Sequence, residues 1–564
     1  MRHLIGLSLI FVGLPSIAQK PGTCKSGPTI YSQYAGTVGS TYVPVDSWTY
    51  SSIDRLQALG YADTAYLGMR PWTRLSMIHI LDATADAISD ADEASEACDI
   101  YRSLQSEFKA DVDQLYGVHK PQLQIEIVYT RMLGIAGTPL RDSFHIGQTI
   151  INDYGRPYQE GFNNITGFSA RGNGERFALY FRGEYQHAPN ASGYSHSLSE
   201  LLSNNDNISF ATNPNQATIA SGPIAATNTF RIVEANVSYL LLNHEISFGK
   251  NDHWLSPANG GSFAWSNNAE NIYAFQIDRM EPLNIPLLSQ LIGPFRYQFF
   301  VGSLKGHTAP NAPWIHVEKI SFKPTVNLEF GFERSTIWGG KGHVPITIHS
   351  FLKSFFSFQN VSLEEKLSRE DPGARFGTFD FSYRLPYLRN WLTLYSDSLV
   401  HDDVSPISAP RRAGIRPGIY LSHFPGNAHL DLRVEAANTD PPTSRSSGGQ
   451  FLYAEYIYKQ GYTNKGYLLG DAIGREGKGG QAWLTYHLSP SEQIQVSYRN
   501  AKAAKDFIPG GTTQNSVQIS AVKQVEKQFD IHGSIQWERW KAPVYKPGDQ
   551  MDVALVVQLV WHSR

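Results

Sequence analysis

From Pro121 to the C-terminus the apolar residues fall on every second position, and this alternation limits what the chain can fold into more than any other feature. In RFALYFRGEYQ, Phe177, Leu179, Phe181 and Tyr185 share one face, opposite Arg182, Glu184 and Gln186. TVNLEFGFER sets Val326, Leu328, Phe330 and Phe332 against Asn327, Glu329 and Glu333. The same holds for FDFSYRL, HLDLRVEA, IQVSYR and FDIHGSIQWE. A period of two is that of β-strands, whose side chains point alternately to opposite faces.

Such strands suit either a soluble sandwich, with the apolar face inside, or an outer-membrane barrel, with that face toward lipid. Phe, Tyr and Trp gather near segment ends as interfacial girdles do, and the alternation persists over the rest of the chain. The last run, DVALVVQLVWHSR, carries Val553, Leu555, Val557, Leu559 and Trp561 almost to the terminus, as a closing strand would. The expected fold is mainly β, a large transmembrane antiparallel barrel preceded by a small α-helical bundle. Roughly 22 to 27 residues per strand and connection gives about 16 to 20 strands, an even number. Inward charges such as Asp431, Arg433 and Glu435 are expected to pair across the wall and hydrate the lumen.

The first residues, MRHLIGLSLIFVGLPSIAQK, read as a secretory signal peptide over 1–18, cut after Ala18. Beyond it no apolar run reaches the roughly 18 residues of a spanning helix. Export makes a disulfide between the two cysteines, Cys24 and Cys98, chemically permissible. Spacing alone leaves their proximity open. Residues 19–120 read as an N-terminal helical periplasmic domain and 121–564 as the barrel. Asp46 is the expected N-cap of a helix with Trp48, Ile53, Leu56 and Leu59 on one face and Gly60 as its stop. Further helices are predicted from about Trp72 to Ile88 and about Ala91 to Leu115.

A net charge of -3 and a pI near 6.7 give no electrostatic footprint for nucleic acid. HExxH, P-loop and GxSxG elements are absent, and GREGKGG (474–480) lacks phosphate-loop spacing. Asp252-His253 and His401-Asp402-Asp403 contain metal-ligating types, but zinc needs three or four converging ligands and sequence neighbours rarely converge. Carboxylates such as Glu333, Asp397 and Glu435 are expected in any barrel lumen, and so do not mark a glycosidase pair. The prediction is therefore no catalytic residue, no metal and no cofactor.

Polar stretches at 187–228, 249–271, 303–318, 400–418, 437–449 and 500–515 read as long external loops. Aromatic rings can cover the C–H faces of sugars while polar groups meet the hydroxyls. Trp254, Trp265 and Trp314, beside His253, Asn267, Asn268 and His316, together with Trp338, are the candidate polysaccharide-binding residues. The plainer reading makes them girdle or loop-packing aromatics.

Several stretches in order resemble the outer-membrane capsule assembly protein family (Wzi). They are YVPVDSWTYSSIDRLQALGY with LGMRPWTR, FGKNDHWLSP, GFERSTIWGGKG, DPGARFGTFDFSYRLP, GIYLSHFPGNAHLDLRVEAANTD, GYLLGDAIGREGKGGQAWLTY and SIQWERWKAP. The resemblance runs from about residue 42 to the C-terminus. It implies a barrel of about eighteen strands, with a helical bundle on the periplasmic side and loops outside. It also implies an outer-membrane protein that attaches capsular or extracellular polysaccharide by lectin-like binding and is not an enzyme; a monomer in outer-membrane lipid is the expected state. A porin or polysaccharide export channel is the alternative. The helical segment from Asp46 is also weakly similar to one S-layer homology module, which would add cell-wall material as a partner. The plainer expectation is a cap whose amphipathic face packs across the periplasmic mouth.

Overall fold

The computed structural model describes residues 23–25, 38–115, 123–359, 361–403, 405–442 and 448–563. The predicted signal peptide lies outside the described residues. Eighteen antiparallel strands form one sheet in which each pairs with its neighbours in sequence. The first, Leu123–Ala136, also pairs with the last, Lys546–His562, from Val128 against Trp561 to Ala136 against Val553, and so closes the ring.

Exposure along the strands is inverted relative to a water-soluble protein. The apolar residues of the alternating runs are the open ones, with Leu179 48% and Ile535 47% exposed, while Glu184 and Glu538 on the opposite faces are fully buried. A sandwich would bury the apolar set, whereas a barrel in lipid turns it outward and pairs every backbone group around the ring. Among the described residues no helix is long and apolar enough to cross a membrane, so the strands do the crossing. The protein is an outer-membrane barrel.

The two ends differ in their connections. At one end strands turn within two residues, as at 175–176, 242–243, 326–327, 490–491 and 527–528. Leu242 and Asn243 both have positive φ, 50° and 62°, the backbone of a tight hairpin turn. At the other end the loops are long, notably 137–160, 189–226, 251–272, 339–373 and 439–476. Short turns belong to the periplasm and long loops to the outside. The predicted loop at 303–318 shrinks to 304–313, because Trp314–Thr325 is a strand whose first residues read as loop after Pro310 and Pro313. The predicted 437–449 loop instead runs on to residue 476.

At the periplasmic end sit helices α1 (Trp48–Ala58), α2 (Arg74–Ser89), α3 (Glu96–Glu107) and α4 (Lys109–Leu115). The N-cap of α1 is Ser47, not Asp46, whose carboxylate instead accepts from Arg182 at 2.9 and 3.1 Å. Gly60 follows the helix with φ +97°, the left-handed conformation that ends it. Ile53 and Leu56 pack with Leu75, Ile78, Ile100 and Leu104 in a core of the bundle itself. Cys24 and Cys98 are joined there, their Cα atoms 5.7 Å apart.

The bundle meets the barrel through both kinds of contact: Leu240 and Met280 of the barrel join its apolar core and Ala58 packs with Tyr395 and Tyr420 of the wall, while ion pairs and hydrogen bonds line the rest of the seam. Arg55 donates to the carbonyls of Ser422 (2.6 Å) and Ala428 (2.7 Å) and to Glu96 (2.6 Å), while Asp54 pairs with Arg433. The physical reason is the wall itself. Its inner face here carries Asp431 and Arg433, and an apolar stripe would leave those charges buried without partners. Of the three charges expected to pair across the wall, Glu435 does so with Arg416 at 2.8 Å and Asp431 with His487 at 2.7 Å, while Arg433 turns to Asp54 of the cap.

Candidate functional site

The segment LGMRPW, between α1 and α2, threads from the cap into the lumen. The N–H groups of Leu67 and Gly68 donate to the two oxygens of Glu329, each at 2.9 Å. A Cβ on Gly68 would stand 2.7 Å from an Asp380 oxygen, so any larger residue would have to displace that carboxylate. Beyond it, Arg70 and Trp254 exchange two backbone hydrogen bonds of 3.0 Å. The Val45 N–H donates to Asp252 at 3.0 Å. The periplasmic cap and the external loop 251–272 thus touch inside the barrel.

That loop is held from below by carboxylates of the wall. Asn259 and Gly260 donate to Glu435 at 2.7 and 3.0 Å, and Phe263 donates to Asp397 at 2.7 Å. From above it is covered by loop 439–476, with Ser266 N–H on the Leu469 carbonyl (2.7 Å) and Tyr462 hydroxyl on the Ala264 carbonyl (2.8 Å). Around it lies an apolar core in which Phe263, Trp265, Tyr453 and Tyr462 pack with wall residues Ile315, Val317 and Phe376. The outer half of the lumen is filled by this core, and the inner half by the charged seam with the cap.

Four of the candidate sugar contacts belong to this filling. Trp254, His253, Trp265 and Asn267 are all buried. His253 stacks on Phe300, with ring centroids 4.1 Å apart, and burial pushes its pKa down to about 3, so it is neutral. Burial, then Asp46, pushes the Asp252 carboxyl up. The indole of Trp254 donates to the Ala258 carbonyl at 2.9 Å, and the Asn267 carbonyl accepts from Tyr154 N–H at 2.6 Å.

The other three stand apart from them, on the outer surface of the wall near the external rim. Trp314 and Trp338 are register partners on adjacent strands, 6.2 Å between centroids, with His316 5.2 Å from Trp338. A helix of the 339–373 loop, Ile348–Phe355, lies over them on the outside of the barrel. Its Ser354 hydroxyl meets His316 at 2.8 Å, and Phe351 and Phe355 rest on Phe299, a residue on the lipid side of its strand. Arg334 and Arg375 clamp the end of that helix by donating to the carbonyls of Phe355 (2.7 Å) and Gln359 (2.5 Å). Beside this clamp opens a cavity of about 570 Å³. A second cavity, about 530 Å³, follows the charged seam between cap and wall.

The sequence reading missed this outer helix. Its signal was present, since Ile348, Phe351, Leu352 and Phe355 recur at the i, i+3, i+4, i+7 spacing behind a Thr347–Ser350 capping box. Also missed was a cluster that ties three external loops together. His145 lies between Asp142 (3.1 Å) and Asp206 (2.9 Å), and Asp206 accepts in turn from Arg475 at 2.6 Å. Burial opposes charge on His145, but the two carboxylates outweigh it and raise its pKa to about 9.

His401, Asp402 and Glu455 gather within 4.8 Å. Lys366 Nζ already bridges both carboxylates, at 2.8 and 3.0 Å, and supplies the positive charge a cation would bring. The neighbours His401 and Asp402 thus share a site only through Glu455, from a distant loop.

The family model described as Capsule assembly protein Wzi matches residues 132–555. The chain belongs to that family. The match spans the barrel from its first strand to its last. A protein of Klebsiella pneumoniae, described as an uncharacterized 55.8 kDa protein in the cps region, is 29% identical over 199 residues. That alignment covers 35% of this chain and only 38% of the relative. The solved structure of Wzi from Escherichia coli, described as an outer membrane protein involved in group 1 capsule assembly and a carbohydrate binding beta-barrel, superimposes with a TM-score of 0.65 at 17% identity. The superposition covers 93% of this chain and all of that one, and shows that the two share the family's fold.

Proposed function

We propose that this protein holds capsular or other extracellular polysaccharide at the cell surface by binding it, without transporting or cleaving it. The observation that carries this reading, beside the family, is the double closure of the lumen, by the periplasmic cap and by loop 251–272, which meet at Arg70 and Trp254. A barrel filled along its axis offers its external loops to a polymer. Trp254, His253, Trp265 and Asn267 serve this role by fixing the outer closure on which those loops rest. Absence of hydrolysis is supported by lumen carboxylates that are committed to cations, Asp380 to Lys319, Glu184 to Arg156, and Glu435 and Asp471 to Arg416. In cells lacking the protein, polymer is expected at normal total yield but shed into the medium. Unchanged surface retention overturns the proposal.

A further inference from the structure

The 570 Å³ cavity at the external rim opens on the lipid side of the wall. Ile320 and Phe332, neighbours across two strands and part of the outward apolar face, line it below. Phe355 and Phe358 line it from the covering loop. That loop is itself dressed for lipid, with Ile348 80%, Phe356 63% and Phe358 60% exposed. An amphipathic helix lying flat on a membrane protein at this height sits in the interface between acyl chains and headgroups.

The upper lining is polar, with Glu318, Glu333, Asp402 and Asp403 against Arg334 and Arg375, and with Lys366 and Arg412 behind the two aspartates. Glu318 stands opposite Arg334, Asp402 meets Lys366 and Arg375, and Asp403 meets Arg412. A bare phosphate gains little from such a lining, since carboxylates offset the guanidinium groups. Among the buried polar atoms there that lack a hydrogen-bond partner are Nε of Arg375, a residue 8% exposed, and Oδ1 of Asp402. One is a donor and the other an acceptor. A sugar hydroxyl answers both, because it accepts from the first and donates to the second, and the aromatic rings beside them suit its C–H faces.

We propose that this cavity binds the sugar headgroup of an outer-leaflet glycolipid, with acyl chains running down Ile320 and Phe332 and the saccharide between Arg375, Asp402 and Phe358. The site lies at the lipid-facing edge of the external loops, and its occupancy does not depend on the polymer reading. It would place a defined glycolipid under the Ile348–Phe355 helix and fix that loop to the membrane.

The test titrates three probes onto the detergent-solubilised full chain: deep-rough lipopolysaccharide, its acyl-free oligosaccharide and phosphatidylglycerol. Lipopolysaccharide is expected to saturate one site, with each of the others at least about tenfold weaker, the loss of one or two charge-assisted hydrogen bonds or of the apolar contacts. Ser408→Trp, which fills the cavity, and Arg375→Gln are each expected to weaken lipopolysaccharide about tenfold while the barrel keeps its folded electrophoretic mobility. Equal binding of phosphatidylglycerol would mean a generic lipid surface, and equal binding of the acyl-free oligosaccharide a free-saccharide site. Either result, or an unaffected Ser408→Trp, overturns the proposal. Polymer retention measured on cells carrying the same variants keeps this outcome distinct from that of the proposed function.

Discussion

His145 is the residue at which pH acts most directly on the external face. Its ring joins Asp142 of its own loop to Asp206 of the next, and Asp206 carries on to Arg475 in a third. With a folded pKa of about 9 against an ordinary value near 6.5, protonation favours the folded loops. The contribution, roughly 3 kcal/mol, is complete below about pH 6.5, declines through the window above it and is gone once pH passes the folded value. Proteinase K is therefore expected to nick loops 137–160 and 439–476 much faster at pH 10 than at pH 7, with the barrel wall resisting at both. In His145→Gln the two rates should converge, the loops being loose throughout. Equal rates in the natural chain would show that His145 is neutral there.

At the scale of elements the cap is open to test at Arg55, where one side chain joins the bundle to the wall. Arg55 alone reaches Glu96 within the bundle, two carbonyls of the periplasmic turn 422–429 and Asp431 of the wall. Arg55→Leu leaves two carboxylates without their cation, a change that costs about 3 to 5 kcal/mol at buried sites. The expected result is rapid proteolysis within 40–115 from a barrel that remains heat-modifiable on gels; an equally resistant cap would refute the role given to Arg55.

The strands were legible because lipid on one side and polar filling on the other keep a strict period of two. RFALYFRGEYQ and FDIHGSIQWE show it without interruption. Helix α1 was legible in its apolar stripe, but the partner of each face was not. Amphipathicity says which side is apolar, and here most of that side went into the bundle's own core, with Leu240 and Met280 of the barrel joining it. The sugar candidates were chosen for lying in Gly- and Asn-rich stretches, and such composition marks a loop without saying whether it folds outward or back into the lumen. Trp265 folds in and Trp338 sits beneath a helix on the outer wall, an outcome that depends on residues nearly 200 positions away, as in the Tyr462 bond to Ala264.

For the whole molecule, an eighteen-stranded ring is wide enough to conduct, and two fillings, the cap and loop 251–272, occupy its lumen. The intact chain in a planar bilayer is expected to give no steady current. Removing 40–115 should leave conductance low, since loop 251–272 and its cover still span the outer half. Removing that loop as well should give large steady currents. Large currents from the intact chain would favour the export-channel alternative instead.

The pairing of Val128–Ala136 with Val553–Trp561 also sets an order of events. The cap and the LGMRPW segment precede every strand, whereas the strand that completes the ring comes last. Until it arrives the wall is an open sheet with two unsatisfied edges. A Gly68 backbone seated on Glu329 has then either entered a finished ring through its periplasmic mouth or been enclosed as the ring formed around it. Either way the N-terminal segment becomes the lining of a vessel whose seam is sewn by Val553–His562, after everything it encloses has been made.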